Sequence, residues 1–327
     1  MANFDLVTFE DLYTNALRRV KGDINDDESF DKIKEILNTR YRQICNRKKW
    51  KFLRTDRSLF LPIKYTTGTI SFPAGSRIVT GVGTGWSTTA NRFSWFLANG
   101  SNISYRVVSV TSPTQLILTS ANVENSFAAG TQYTLYTAEL PLFPDLEEID
   151  DVRIDGRVWQ VKPKGPGVIN MLRQQRPTMT GRPLFYSREG KLNYSGPVLG
   201  QNLLGYDFLG TTPQQGISFF PAIPDQNYNI TIYYKLRVTA MVAPTDVPLI
   251  PIEYRSVLLY YALSDWYASN DNQMAAYYQR LGDSEFKEMM SKYVDTDDVL
   301  HYKPQGIGEY RRSWLLRHSS TYFDTEG

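Results

Sequence analysis

The spacing of hydrophobic residues changes twice along this chain, and that change constrains the fold more than any single motif. After Thr8, the residues Phe9, Leu12, Ala16 and Val20 recur at helical steps, with acids early and Arg18 and Arg19 late, which predicts a short helix. Asn25, Asp26 and Asp27 then break the pattern. Phe30, Ile33, Leu37, Tyr41 and Ile44 resume it, so residues 27–48 read as an amphipathic helix. From Leu59 onward the period becomes two and helix formers thin out. Helical spacing returns after Pro248 and Pro251, first through Tyr254, Leu258, Tyr261, Ala262 and Trp266, then from Met274 to Tyr293. Gly282 costs about 1 kcal/mol inside that last helix and marks an expected kink.

Between the helical ends, residues 65–138 are rich in Thr, Ser, Gly and Val. They read as short strands near Ser76–Thr80, Tyr105–Val110, Gln115–Leu118 and Gln132–Tyr136, separated by turn signals. Asp151 to Val161 reads as a hairpin through Asp155-Gly156, a dipeptide favoured in type I′ turns. Residues 163–182 look loop-like, and Phe185, Leu192, Ile217–Phe220 and Asn229–Lys235 read as further strands.

The expected class is therefore α+β. A helical bundle formed by the N- and C-terminal helices (residues 1–58 and 248–295) would carry a central antiparallel β region (139–247). An all-β module of sandwich or barrel type (65–138) would be inserted, and an extended C-terminal arm (296–327) would follow.

Lys and Arg number 36 against 34 for Asp and Glu, so no global charge drives the chain toward nucleic acid or membrane. Cys45 has no second thiol to pair with, which fits folding in a reducing cytoplasm. No signal peptide is read at the amino terminus, and no run of about 18 apolar residues predicts a membrane span. Twenty-two tyrosines suit protein contact surfaces, because the ring buries much area at small entropic cost.

Motifs for catalysis are weak. Gly81-Val82-Gly83-Thr84-Gly85 lacks the Lys and the helix that a nucleotide loop needs and reads as a β turn. The acid pairs Asp297/Asp298 and Glu147/Glu148 read as surface neighbours, Cys45 as a core thiol, and His301 and His318 as solitary histidines without metal partners. No catalytic residue, metal or cofactor is assigned.

Two regions read as contact surfaces. Arg40, Arg42, Arg47, Lys48, Lys49, Lys51, Arg54 and Arg57 form a basic run with Trp50 and Phe52 interleaved. A cation cluster at a helix C-terminus is favoured by the dipole, and it equally fits an acidic protein surface or passing DNA phosphates. Residues 296–327 lose all periodicity yet hold Tyr302, Tyr310, Trp314, Leu315, Leu316, Tyr322 and Phe323, composed either as a binding arm or as a tail packed on its own domain.

Four short stretches carry a family likeness: Ile36-Leu37-Asn38-Thr39-Arg40-Tyr41, Trp50-Lys51-Phe52-Leu53, Gly181-Arg182-Pro183-Leu184-Phe185-Tyr186 and Phe219-Phe220-Pro221-Ala222-Ile223-Pro224-Asp225. In this order the chain resembles the head-to-tail connector (adaptor) proteins of tailed bacteriophages. The stretch Ile78–Trp86 with Tyr105–Val110 and Gln115–Leu118 looks like small β modules that decorate phage connector and fibre proteins.

The resemblance implies a non-enzymatic structural virion protein at the head-tail junction, assembled in the host cytoplasm. It implies a homo-oligomeric ring, usually of 12 subunits, that binds the portal protein, meets the next tail component (tube or nozzle) and extends the DNA channel. On that reading Tyr302, Tyr310, Arg311, Arg312, Trp314, Leu315, Leu316, Arg317, Tyr322 and Phe323 form the portal-docking arm. The basic run contacts a partner or passing double-stranded DNA. Three alternatives stand beside it: a more distal tail-tube ring; a glycan-binding fibre component using Trp86, Trp95 and Phe96; and a tail-associated peptidoglycan hydrolase, which would need two facing carboxylates.

Overall fold

A computed structural model describes residues 6–20, 27–86, 93–154, 159–192, 214–269 and 271–294. The chain divides into two compact units, residues 1–53 with 239–327 and residues 54–238.

In the first unit α1 (Phe9–Val20) starts at Thr8, whose hydroxyl accepts from the Asp11 amide (3.3 Å) while the Asp11 carboxylate accepts from the Thr8 amide (2.9 Å). α1 buries Phe9, Leu12, Ala16 and Leu17, and α2 (Asp27–Arg47) buries Ile33, Leu37, Tyr41, Ile44 and Cys45. α4 (Arg255–Tyr267) is apolar on most sides, burying Val257, Leu258, Leu259, Tyr261, Ala262 and Leu263. Asp271 caps α5 (Asn272–Tyr293), its carboxylate accepting from the Gln273 and Met274 amides at 3.0 Å.

α5 runs unbroken through Gly282, so the expected kink is absent. The glycine serves close packing instead: a Cβ there would lie 2.9 Å from the Tyr261 ring on α4. Gly282→Ala should therefore destabilise the protein by about 1–3 kcal/mol, overpacking outweighing the roughly 1 kcal/mol gained in helix propensity. Thermal unfolding checks this, and an unchanged or higher midpoint would refute it.

Among the described residues, the second unit holds fourteen strands in three sheets. β1 (Arg54–Leu61), β14 (Tyr228–Leu236) and β10 (Leu146–Ile154) form an antiparallel sheet with β14 in the middle. A four-stranded sheet has the order β11 (Lys162–Pro163), β12 (Phe185–Leu192), β13 (Gln214–Phe220), β9 (Glu139–Pro141). These two share one core, built from Leu59, Val152, Ile217, Phe219, Ile232 and Tyr234 among others. Val161 also bonds back to Val152, joining the two arms of the expected hairpin, whose turn at 155–158 lies outside the described residues.

The remaining seven strands make one curled antiparallel sheet, β7 (Phe127–Thr131), β2 (Thr69–Phe72), β3 (Ile78–Val82), β6 (Gln115–Leu118), β5 (Tyr105–Ser112), β4 (Trp95–Ala98) and β8 (Tyr133–Tyr136) in spatial order. Tyr65 ties β8 back through paired amide and carbonyl bonds to Leu135 (2.8 and 2.9 Å).

The expected fold class is overturned. The protein is mostly β, with five short α-helices among the described residues, and it is not a helical bundle formed by the terminal helices. Helical periodicity marks each helix by itself but says nothing of how much core the strands contribute, and the short strands build most of it. Residues 163–182 are also not simply a loop. α3 (Pro166–Gln175) forms there with proline at its first turn, where the missing N–H costs nothing.

Candidate functional site

The four stretches that carry the family likeness have defined positions. In the first, the Asn38 side chain donates to the Met241 carbonyl (3.0 Å) and accepts from its amide (2.8 Å). Arg40 pairs with Asp265 on α4, and the Tyr41 hydroxyl accepts from the Leu249 amide (3.0 Å). Burial pushes the Tyr41 hydroxyl up to about 12. Asn38 and Tyr41, one turn apart on α2, thus fasten the connection that runs from 239 to 250. In the second stretch, Trp50 and Leu53 are core residues, the indole donating to the Ile44 carbonyl (2.8 Å).

The third and fourth stretches, more than thirty residues apart in sequence, meet face to face. The Gly181 amide donates to the Ile223 carbonyl (2.9 Å), the Leu184 amide to the Phe220 carbonyl (2.8 Å), and Phe185 pairs with Phe220 across β12 and β13. Together they line an open depression of about 270 Å³ with Met179, Thr180, Gln226 and Tyr228. Arg182 lies over the exposed Trp159 ring, 4.7 Å from its centroid, and Asp225 is engaged by the Tyr228 hydroxyl. A cation on an aromatic face beside apolar Leu184 and Pro221 suits a peptide or a side chain. Its lining holds no nucleophile with a base beside it.

The basic run is split by the fold. Arg40 is drawn to Asp265, while Arg54 and Arg57, on β1, pair with Asp150 (3.4 Å) and Asp145 (3.1 Å). Arg42, Arg47, Lys48, Lys49 and Lys51 remain exposed at the end of α2, with the Arg47 guanidinium over the Phe286 ring (4.8 Å).

Of the aromatics considered for glycan contact, two are interior and Trp95 is partly buried. Trp86 and Phe96 are fully buried, and Trp95 packs beside Leu97, Tyr136 and Ile223. The Trp86 indole donates to the Tyr133 hydroxyl (2.8 Å), which donates to the Thr67 carbonyl (2.6 Å). The glycine run is the turn that allows this: a Cβ on Gly81 would sit 2.8 Å from the Trp86 ring, and Gly83 and Gly85 have positive φ.

Glu147 pairs with Lys235 (3.1 Å), and its exposed neighbour Glu148 lies opposite the same Lys235 in the register of β10 and β14, so this acid pair faces a lysine. Among the described residues, no group of three His, Cys, Asp or Glu could hold a metal ion. Asp297, Asp298, His301, His318 and every residue of the expected docking arm from Tyr302 to Phe323 lie outside the described residues.

Two constellations carry no sequence signal. Arg255 is buried and donates to four backbone carbonyls, and Glu139 is nearly buried between Arg106 (3.0 Å) and Arg173 (3.4 Å). Their partners lie far apart in the chain or are backbone atoms, which residue patterns do not reveal. A scan of protein-family models finds no match to this chain, and neither does a search of curated proteins.

Proposed function

We propose that this protein is a structural subunit of a tailed-phage particle, a connector whose copies form a ring between the capsid portal and the tail. The observation that supports it best is the connection from 239 to 252. Asn38 and Tyr41 on α2 and Arg255 on α4 fasten it, yet it holds Val242 at 80% exposure and Val247 and Ile252 at over half, with Val7 beside it. An apolar loop that is clamped in place but left in water is composed for contact with another chain. A closed ring needs such a patch to meet a different surface on the next copy. The depression lined by Arg182, Leu184 and Pro221, built largely from the two family-like stretches, is a second contact surface on the other unit.

The test is electron microscopy of the chain mixed with the portal of the same virus, with and without residues 296–327. A ring capping the portal with the full chain and lost on truncation is the expected result. A full-length chain that forms rings but ignores the portal would overturn the adaptor position in favour of a more distal tail ring. A chain that stays monomeric with the portal would overturn the connector reading itself.

A further inference from the structure

From Trp159 to Arg188 the sequence holds six Lys and Arg and no acid. Two of the six are spent inside the fold, Arg173 on Glu139 and Arg188 on the Gln215 side chain and the Glu147 carbonyl. Lys162, Lys164, Arg176 and Arg182 make no ion pair among the described residues. Backbone pairing gathers them around the depression. The Lys162 amide donates to the Leu184 carbonyl (3.0 Å) and the Lys164 amide to the Tyr186 carbonyl (2.8 Å), while the Met179 amide donates to the Arg176 carbonyl (3.2 Å). Arg182 lies on the Trp159 ring, which is 59% exposed, and Lys164 lies over Phe185 (5.5 Å).

At about 270 Å³ and open to one side, the depression falls below the roughly 300–1,000 Å³ of small-molecule pockets, which suits a protruding aliphatic side chain better than a cofactor. Its apolar wall of Met179, Leu184 and Pro221 offers nothing to a sugar-phosphate backbone, and Asp225 repels phosphate. The surface is therefore built for a protein segment that is apolar and acidic.

The loop at 239–252 is composed in the opposite sense. From Val238 to Tyr254 there are two acids, Asp246 and Glu253, no Lys or Arg, and three prolines, Pro244, Pro248 and Pro251. The Asp246 carboxylate accepts from the Val242 and Ala243 amides (2.6 and 2.8 Å), which fixes the turn that displays Val242. A loop already clamped and stiffened by proline loses little entropy on docking, and proline-bearing segments settle readily on exposed aromatic rings.

We infer that in the ring proposed above, on which this inference rests, the loop of one copy docks on the basic depression of the next. Val242 enters between Leu184 and Pro221, the loop prolines lie against Trp159, and Asp246 faces Arg182. Each copy gives one loop and receives another, so the contact is head-to-tail, as ring closure requires. The opposite charges of the two surfaces steer the encounter.

The experiment uses the full-length chain with the portal of the same virus, read by electron microscopy and mass photometry. V242D/V247D spoils the loop and R182E/L184E spoils the depression. Each variant alone should lose the ring while keeping the circular dichroism and melting of wild type. Mixed in equal amounts, the two should recover a dimer and nothing larger, because one intact loop meets one intact depression and the remaining pair is spoiled on both sides. Rings from either variant alone would overturn the inference and leave the ring reading standing. So would a mixture that stays monomeric while wild type forms rings, since the two surfaces would then meet something other than each other. An R182E/L184E chain that assembles as wild type but loses affinity for a labelled duplex oligonucleotide would assign the cations to phosphates instead. A wild-type chain that stays monomeric with the portal would overturn the ring reading and this contact with it.

Discussion

Arg255→Met is expected to cost the helical unit about 3–5 kcal/mol, enough to consume much of the stability of an ordinary domain. Arg255 is only 7% exposed, and burial lowers its pKa from the usual arginine range. It spends its donors on backbone: Nε on the Ile250 carbonyl (2.9 Å), Nη1 on Leu6 (3.0 Å) and Val7 (2.6 Å), and Nη2 on Pro248 (3.1 Å). Methionine fills similar length but leaves four carbonyls without these donors, each worth about 1–3 kcal/mol before relaxation. Arg255→Lys keeps the charge yet has no planar fork to reach four acceptors, so it should recover less than half of the loss.

Hydrogen exchange gives the decisive readout for Arg255→Met. Amides of α1 and α4 should exchange much faster in the variant while those of the seven-stranded sheet stay as slow as in wild type. A loss below about 1 kcal/mol by urea unfolding would show that water or loop relaxation replaces the clamp. The same variant would release the loop bearing Val242, Val247 and Ile252, so it should also weaken self-association if that loop is a subunit contact.

How far the fold was legible depends on the distance over which each feature is encoded. α1, α2, α4 and α5 came from apolar residues three and four apart, a signal contained in each helix. The strands Gln115–Leu118 and Asn229–Lys235 were legible for the same reason, through alternation. The balance of the architecture was not, because it depends on how strands far apart in sequence share a core. β1 pairs with β14 some 170 residues on. The fibre alternative takes Trp86, Trp95 and Phe96 as display residues, although an unbroken apolar run such as Trp95–Ala98 is what a strand covered on both faces looks like. Gly282 was read as a helix fault, when the reason for it is a tyrosine ring on another helix. In the candidate site, the Gly181 and Phe219 stretches were singled out separately, and only backbone pairing shows that they form one surface.

Glu139→Gln should cost about 3–5 kcal/mol in the other unit, for a reason that is the mirror of Arg255. At 8% exposure, one carboxylate serves two guanidinium groups, Arg106 from β5 and Arg173 from α3. Arg173 also donates to the Ala138 and Phe219 carbonyls (3.0 and 3.1 Å), and Arg106 lies over the Trp95 ring. These contacts join the curled sheet to the four-stranded sheet through α3. Removing the negative charge leaves two half-buried cations facing each other with no charge between them, and breaking such a network costs more than replacing all of it. Arg173→Met in the Glu139→Gln background should therefore restore part of the loss, giving a favourable coupling of about 1–3 kcal/mol in a double-mutant cycle. Protease cutting near residues 137–139 should accelerate in the single variant and slow again in the double. If the two substitutions simply add, the network is a surface decoration, and the curled sheet is held in register by the Tyr65 and Leu135 pairing and the Leu97, Tyr136 and Ile223 cluster alone.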